Sequence, residues 1–263
     1  MGALRFMLVA TPALFLPRPH IPLGWLLAYG LSISVAQFAF LFSAIALGMP
    51  AGLASTVLQS QIFFTLLFSA LFLAESWRAE QLLGLCLSLG GLAFIGMSHG
   101  LSMPLAGFLL TLAAGASWAL GNVVNRHIAK RYTIEPFSFV CWAGLVPPIP
   151  FLLLSYYVEG PEAIKQGLLH FNASSAFALV YLAFAATLIG YGLWSRLLSR
   201  YAANVVAPFS LLLPLIGLIT AAVAYQEQLS MLQGIGITLL LLGLMVNILG
   251  SKLRMQQVLP TTR

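Results

Sequence analysis

Long apolar segments, separated by short polar or proline-containing stretches, run along almost the whole chain. A transmembrane helix needs about 20 consecutive, mostly apolar residues. Eight segments of this kind lie at 24–46, 51–73, 80–98, 104–125, 136–157, 174–196, 203–225 and 231–250. A shorter apolar run at residues 6–16 precedes them. The pattern predicts an all-α polytopic membrane protein with nine spans, of which the first is short.

The composition favours a lipid environment. Of the 263 residues, 60% are hydrophobic and 7% are charged, and the mean hydropathy is +0.99. A soluble domain carries about 25% charged residues. The two cysteines, Cys86 and Cys141, lie inside apolar segments, which argues against a disulfide framework.

Basic residues are concentrated on one side of the predicted membrane. The loops after spans one, three, five and seven, together with the C-terminal tail, contain ten of the twelve. The opposite loops contain only Lys165, and Arg5 lies within the first span. By the positive-inside rule, the basic side and the C-terminus of this multi-pass protein are expected in the cytoplasm. Basic residues scattered in this way form no continuous stripe, which argues against a nucleic-acid partner.

Residues 51–95 resemble residues 203–247 at an offset of 152. The matched pairs are Ala51–Ala203, Glu75–Glu227, Gln81–Gln233, Gly84–Gly236, Leu87–Leu239 and Gly91–Gly243. Leucines and glycines match by chance in apolar sequence. The chain has only six acidic residues, however, so a matched pair of glutamates argues for a repeat. The basic-residue count places Glu75 inside and Glu227 outside, so the two units are inverted. We expect a first repeat at 1–100, a second at 101–252 and a cytoplasmic tail at 253–263.

The two predicted repeats differ in their number of spans. Five spans begin at residue 104, whereas four precede it. The first span is therefore expected to correspond to the second helix of a five-helix unit whose first helix is absent. The opening run is not a signal peptide, because residues 17–20 (PRPH) contain no small-residue cleavage site.

Several segments resemble a known transporter family. They are GALRFMLVA, VAQFAFLFSAIALGMPAGLAS, LAAGASWALGNVVN, YLAFAATLIGYGLWSRLLSRY and VAPFSLLLPLIGL. They are similar to the ten-helix EamA-type transporters of the drug/metabolite transporter superfamily, and most similar to bacterial exporters of O-acetylserine and cysteine. The resemblance implies inverted five-helix repeats, here without the first helix. It also implies export of small amino-acid metabolites by alternating access, without a cofactor.

Alternative functions are a broad-specificity drug or organic-cation exporter and an inactive, truncated membrane protein. The partners expected are a small-molecule substrate and the lipid bilayer, and a homodimer is an open alternative. All glutamates and histidines lie in loops or at span ends. A catalytic carboxylate pair or a metal site within the membrane would need such residues inside the spans. The chain is therefore not expected to be an enzyme or to hold a metal.

Neutral polar side chains inside the spans are the candidates for substrate binding. Inverted repeats of secondary transporters place the substrate near the bilayer midplane, where the units meet. The candidates are Gln37, Ser55, Gln59, Trp118, Asn122 and Tyr191. Interhelical hydrogen bonding, worth about 0.6 kcal/mol per pair, is the alternative role for each.

Helical spacing groups these candidates on shared faces. Ser55 and Gln59 are spaced i and i+4, and Gln61 is expected to point elsewhere. A spacing of i, i+4 and i+7 relates Trp118, Asn122 and Asn125 in one span. The same spacing relates Thr187, Tyr191 and Trp194 in another. Two positions are considered for Asn125 and Trp194, one in the cavity and one at the membrane interface.

Arg5 is the only basic residue inside a span. It is a candidate counter-ion for a substrate carboxylate, and the alternative is an anchor at the outer membrane face. The depth of Arg5 distinguishes the two exporter hypotheses, because a cation exporter should not tolerate a buried positive charge in its cavity.

Two prolines and four glycines complete the set of candidates. Pro208 and Pro214 each remove a helical hydrogen bond and are proposed as gating kinks, with packing as the alternative. Gly84 and Gly91 are seven residues apart, as are Gly236 and Gly243. Small residues so placed predict close packing of helix backbones.

Overall fold

The computed structural model describes residues 2–98, 104–213, 216 and 230–258. The regular structure within these residues is helical throughout, which confirms the predicted all-α polytopic fold. Five of the helices are long and apolar enough to cross a membrane, and three shorter apolar helices accompany them. Large apolar side chains remain exposed on them, including Ile149 and Phe177. This exposure suits contact with lipid.

The described helices follow one another in an order close to the predicted spans. They are α1 (Gly2–Leu14), α2 (Leu23–Ala46), α3 (Ala51–Val57, Leu58–Ser60 and Gln61–Leu73), α4 (Ala79–Ser98), α5 (Leu105–Arg131), α6 (Pro136–Glu159), α7 (Pro161–Leu169), α8 (Ala173–Arg200), α9 (Ala203–Val206 and Ala207–Leu211) and α10 (Met231–Val258). Helix α7 is short and lies in the loop that contains Lys165. The rest of the eighth predicted span lies largely outside the described residues.

Several of the helices contain turns that are not α-helical. Helix α2 has a π-helical stretch at Gly30–Ala36, and α8 has one at Tyr181–Ile189. Helix α3 contains the 3-10 turn Leu58–Ser60, and α9 ends as the 3-10 helix Ala207–Leu211. Such turns change the number of residues per turn, so side chains beyond them point in directions that a uniform 3.6-residue period does not predict.

The starts of α6 and α8 follow capping rules. The Glu135 carboxylate accepts the N–H groups of Phe137 and Ser138, and Pro136 occupies the first turn of α6. Asn172 Oδ1 accepts the N–H of Ser175 at 2.9 Å at the start of α8. Both caps satisfy donors that have no partner inside the helix.

The chain divides into two compact units, each built from both halves of the sequence. The first unit contains Met1–Phe38 and Leu120–Ala202, and the second contains Ala39–Ala119 and Ala203–Arg263. Helices α2 and α5 contribute residues to both units. The division of the sequence into repeats at 1–100 and 101–252 stays a prediction.

In the first unit, α1 runs antiparallel to α6. The Phe6 and Phe151 rings stack with centroids 5.9 Å apart, and Val9 lies against Gly144. At the other end, the Ser138 hydroxyl donates to the carbonyl of Pro17 at 2.7 Å. These contacts align the apolar face of α1 along the whole length of its partner.

Helices α2 and α5 also cross closely in the first unit. A Cβ on Gly121 would lie 2.6 Å from the Cβ of Ile33, so the crossing has room for only a hydrogen at this position. Further along, the Trp25 and His127 rings lie 4.4 Å apart. The pairs 33–121 and 25–127 show that the two helices run antiparallel. Tyr29 and Asn125 lie between these pairs, one turn from Ile33 and Gly121.

In the second unit, α4 and α10 pack through their glycines. A Cβ on Gly91 would lie 2.5 Å from the carbonyl oxygen of Gly236, and one on Gly243 would lie 2.4 Å from that of Gly84. The backbones therefore touch, which confirms the close packing predicted from the seven-residue spacing. The pairs 91–236 and 84–243 also make the two helices antiparallel, as counterparts in an inverted repeat must be.

Helices α3 and α9 are joined by polar contacts in the same unit. The Glu75 carboxylate, just after α3, accepts the N–H of Ala203 at 3.1 Å. Asn204 Nδ2 donates to the carbonyl of Ser76 at 3.2 Å. Glu75 thus provides a negatively charged cap for the first turn of α9, where the helix dipole favours an anion.

Candidate functional site

The first unit contains a polar cluster formed by four of its helices. We call this the donor cluster and define it as Arg5 on α1, Tyr29 on α2, Asn125 on α5, and Thr187 and Tyr191 on α8. Four of these five residues were singled out from the sequence as cavity candidates or their neighbours by spacing. Tyr29 was not.

Arg5 is partly buried and is held by side chains of its own unit. Its Nε donates to Thr187 Oγ1 at 2.8 Å, and its guanidinium also interacts with Tyr191. The guanidinium carbon lies 4.9 Å from the centroid of the Phe38 ring and 5.3 Å from that of Phe6. Both rings attract the cation through their π faces. These contacts fix the direction in which the remaining guanidinium nitrogens point.

The π-helical stretch of α8 places Thr187 for this contact. The Thr187 hydroxyl donates to the carbonyl of Leu182, five residues earlier, at 2.7 Å. With its proton so engaged, Thr187 Oγ1 is left to accept from Arg5. Thr187 and Tyr191 therefore both interact with Arg5, as their i, i+4 spacing allows.

Tyr29 and Asn125 lie deep inside the unit. Tyr29 is 2% exposed and Asn125 is 0% exposed. The Tyr29 ring packs against Phe139 with centroids 4.6 Å apart, and its hydroxyl lies beside Asn125 and Tyr191. Among the atoms that the structure describes, the Tyr29 hydroxyl and Asn125 Nδ2 have no hydrogen-bond partner besides each other.

The two asparagines of α5 accept hydrogen bonds from α8. Trp194 Nε1 donates to Asn122 Oδ1 at 2.9 Å, and the Ser195 hydroxyl donates to Asn125 Oδ1 at 3.1 Å. Asn125 is fully buried, and both roles considered for Asn125 and Trp194 stay predictions. The interhelical bonding considered for Asn122 is present.

Gln37 is also buried, at 3% exposure, and follows the π-helical stretch of α2. Its Oε1 has no hydrogen-bond partner within the described part of the chain. Gln37 thus offers an acceptor, whereas the amide nitrogen of Asn125 is a donor.

The other candidates lie in the second unit. Gln59 is 3% exposed, Trp118 is partly buried and Ser55 is exposed. Ser55 and Gln59, which were expected on one face of the helix, thus differ in burial. The 3-10 turn that contains Gln59 changes its direction relative to the α-helical turn of Ser55.

The expectation that Gln61 points away from Gln59 is also wrong. Gln61 is fully buried, and its Nε2 donates to the hydroxyl of Ser210. The same hydroxyl lies 3.3 Å from Gln59 Oε1. The 3-10 turn at Leu58–Ser60 brings both amides to one serine of α9. Such turns have no marker in the apolar pattern, so sequence reasoning missed this contact.

The structure describes one of the two gating candidates, Pro208. Pro208 is buried near the start of the 3-10 helix Ala207–Leu211, in agreement with a departure from α-helical bonding at a proline. Pro214 lies outside the described residues.

Within the described ranges, no three His, Cys, Asp or Glu side chains are grouped so that they could hold a metal ion.

Comparison with known proteins assigns the family. The profile of the EamA-like transporter family matches residues 105–249. A "Probable amino-acid metabolite efflux pump" of Salmonella typhimurium is 47% identical over 97% of this chain and 86% of that protein. A protein with the same description from Escherichia coli is 45% identical over the same shares of the two chains. A crystal structure of a protein that is 20% identical has the same fold, with a TM-score of 0.74 over 95% of this chain and 87% of that one.

These matches extend over more than half of the chain and agree with its long apolar helices. The chain therefore belongs to the EamA-like transporter family and is a multi-pass membrane transporter rather than an enzyme.

Proposed function

We propose that the chain exports small amino-acid metabolites, of the O-acetylserine and cysteine type, across the bacterial inner membrane by alternating access. The observation that carries the proposal is the identity of 45–47% with two proteins described as amino-acid metabolite efflux pumps. The inverted repeat supports alternating access, because related bundles of opposite orientation interconvert by rocking. The C-terminus lies in the cytoplasm by the distribution of basic residues.

The substrate contacts proposed in the first unit are Arg5, Tyr191, Asn122 and Gln37. An amino acid carries a carboxylate and an ammonium group, and each must find a partner when it leaves water. Arg5 provides the positive charge for the carboxylate. The unpaired Oε1 of Gln37 provides an acceptor of the kind that an ammonium group requires. Gln59, Ser55 and Trp118 are proposed contacts from the second unit, and Pro208 and Pro214 are proposed gating positions.

Efflux from proteoliposomes tests the proposal. The purified chain is reconstituted, the vesicles are loaded with labelled O-acetylserine or cysteine, and release is compared with that from vesicles without protein. We expect release of both compounds to be faster with the protein. No release of either compound above the protein-free rate contradicts the proposal.

An organic-cation exporter is the alternative that the same assay addresses. Arg5 argues against it, because a partly buried guanidinium repels a cationic solute at short range. Vesicles loaded with labelled tetraphenylphosphonium should therefore show no faster release with the protein. Robust release of this cation, without release of cysteine, would replace the amino-acid assignment.

A further inference from the structure

The C-terminal ends of α5 and α8 lie side by side in the first unit. Arg126 Nη1 donates to the carbonyls of Leu198 and Ser199 at 3.0 and 3.1 Å, so this guanidinium caps the last turn of α8. Two further hydrogen bonds join the helices one turn earlier, from Trp194 to Asn122 and from Ser195 to Asn125. The paired residues are 70 to 73 positions apart throughout, so α5 and α8 run parallel and end at the same level.

The loop after α1 and the start of α2 lie at this same end. The ring of Trp25, near the start of α2, has its centroid 4.4 Å from that of His127, near the end of α5. The carbonyl of Pro17 accepts the hydroxyl of Ser138, in the first turns of α6. Helix α6 begins soon after α5 ends, so this bond places the loop beside the ends of α5 and α8.

Six basic residues belong to these segments, and we call them the basic end. They are Arg18 in the loop after α1, Arg126, Lys130 and Arg131 in α5, and Arg196 and Arg200 in α8. Arg126 is partly buried as the cap of α8, whereas the other five are exposed. The residues are scattered between positions 18 and 200 of the sequence, and the fold brings the segments that contain them to one end of the first unit.

Positive charge predominates at the basic end. The first unit has three glutamates, all within the described residues, and they are Glu135, Glu159 and Glu162. The Glu135 carboxylate lies at this end and accepts two N–H groups at the start of α6. Glu159 ends α6 and Glu162 follows in α7, so both lie at the opposite end, with Lys165.

The surface next to the basic end is apolar and aromatic. Trp25 is partly buried, and Tyr201, directly after α8, is 54% exposed. Trp and Tyr are enriched where a membrane meets water. Leu193 and Leu197 of α8 are 57% and 42% exposed, and each precedes an exposed arginine of the same helix face by three residues. An amphiphile fits this arrangement, with its anionic group at the arginines and its acyl chains along the leucines.

We propose that the basic end of the first unit binds the phosphate groups of anionic diacyl phospholipids in the adjacent leaflet. Clusters of Lys and Arg beside transmembrane helices attract anionic headgroups, and the planar fork of Arg pairs with phosphate. Headgroups bound here bridge the ends of α5 and α8 and the loop after α1, and so stabilise the folded first unit. The inference concerns the lipid and does not depend on which solute is transported.

Thermal unfolding of the purified chain in a non-ionic detergent tests the lipid requirement. A ligand that binds the folded state raises its melting temperature with concentration. The probes are phosphatidylglycerol, which is anionic, and phosphatidylcholine with the same acyl chains, which is zwitterionic. We expect phosphatidylglycerol to raise the melting temperature and phosphatidylcholine to raise it much less. At about 1 M salt, where the Debye length is about 3 Å, most of this difference should disappear.

Variants of α8 test the location. Arg200→Gln should weaken the binding of phosphatidylglycerol by about fivefold, and Arg196→Gln combined with Arg200→Gln by more than tenfold. Arg200→Lys keeps the charge and should bind within about twofold of the wild type. Lys165→Gln is the matched control, because it removes one exposed positive charge at the opposite end of the first unit. It should bind phosphatidylglycerol as the wild type does.

Four outcomes would overturn the proposal. Equal stabilisation by phosphatidylglycerol and phosphatidylcholine would show that the negative headgroup is not recognised. Equal stabilisation by glycerol 3-phosphate, which has no acyl chains, would show that the surface binds a soluble phosphate instead. Stronger stabilisation by a DNA oligonucleotide than by phosphatidylglycerol would assign the surface to nucleic acid. Wild-type affinity for phosphatidylglycerol in the double variant, or the same loss of affinity in Lys165→Gln, would place lipid binding elsewhere.

Discussion

At the scale of single residues, buried amides and hydroxyls of this transporter fall into two groups. Asn122 and Trp194 bond to each other across two helices, so the chain satisfies them. The Tyr29 hydroxyl and the amide nitrogen of Asn125 lie side by side on facing helices and have no other partner in the described structure. In a medium of low dielectric constant, a satisfied pair stabilises packing.

Arg5 gives a direct prediction at this scale. Arg5→Gln removes the charge and should abolish the binding of cysteine. Arg5→Lys keeps the charge but loses the planar fork, and should weaken binding by about tenfold. The dissociation constants are measured from thermal stabilisation at increasing concentrations of cysteine.

Arg18→Gln is the control for Arg5, because Arg18 is exposed in the loop after α1. It should bind cysteine with the affinity of the wild type. Unchanged affinity in Arg5→Gln would assign Arg5 to anchoring of α1 instead.

Gln59 gives a second prediction at this scale. Gln59→Ala should impair efflux of cysteine while expression stays intact, since an interhelical hydrogen bond is worth about 0.6 kcal/mol. Gln61→Ala is the matched comparison, because both amides contact Ser210. Efflux rates and melting temperatures of the two variants are measured together. Wild-type efflux by Gln59→Ala would make Gln59 a packing residue.

At the scale of helices, glycines set the distances of approach. The backbones of α4 and α10 can touch only because Gly91, Gly236 and Gly243 have no Cβ. A Cβ at any of these positions would clash with atoms of the facing helix. The apolar residues around them, such as Leu92 and Leu240, are then almost completely buried. This packing stabilises the second unit through dispersion contacts rather than through polar groups.

Gly243→Ala tests this packing. The new Cβ would lie 2.4 Å from the carbonyl oxygen of Gly84, so the helices must separate. Overpacking of this kind destabilises a protein by about 1–3 kcal/mol, so the melting temperature should fall. Gly90→Ala is the control on α4, since nothing lies within 4 Å of a Cβ there. Equal melting temperatures for both variants would show that the crossing does not limit stability.

At the scale of the whole molecule, the distribution of charge sets the orientation in the membrane. Ten of the twelve basic residues lie in loops, at helix ends or in the C-terminal tail, on the predicted side opposite the loop that contains Lys165. Translocation of basic segments across the inner membrane is disfavoured, so we predict that these segments lie on the cytoplasmic side.

Fusion reporters test this orientation. Green fluorescent protein fused to the C-terminus should fluoresce, and alkaline phosphatase fused there should be inactive, because each folds only on its own side of the membrane. Alkaline phosphatase inserted after Lys165 should be active, as that loop is expected outside. The reversed pattern at both sites would invert the topology.

The amino-acid sequence by itself determined the class of fold, the family and the predicted orientation. The long apolar segments predicted the membrane helices, the resemblance of segments such as LAAGASWALGNVVN predicted the family, and the glycine spacing predicted the contact of α4 with α10. These properties depend on local composition and spacing, which can be read along the chain without knowledge of distant contacts.

Only the tertiary structure decided which polar side chains meet. Ser55 and Gln59 were expected on one face and Gln61 elsewhere, but the 3-10 turn at Leu58–Ser60 brings Gln59 and Gln61 together at Ser210. Tyr29 gave no signal in the sequence, because its position depends on the crossing of α2 and α5 at Gly121. Polar contacts of this kind depend on non-α turns and on helices far apart in sequence, and no periodic pattern along one helix encodes either.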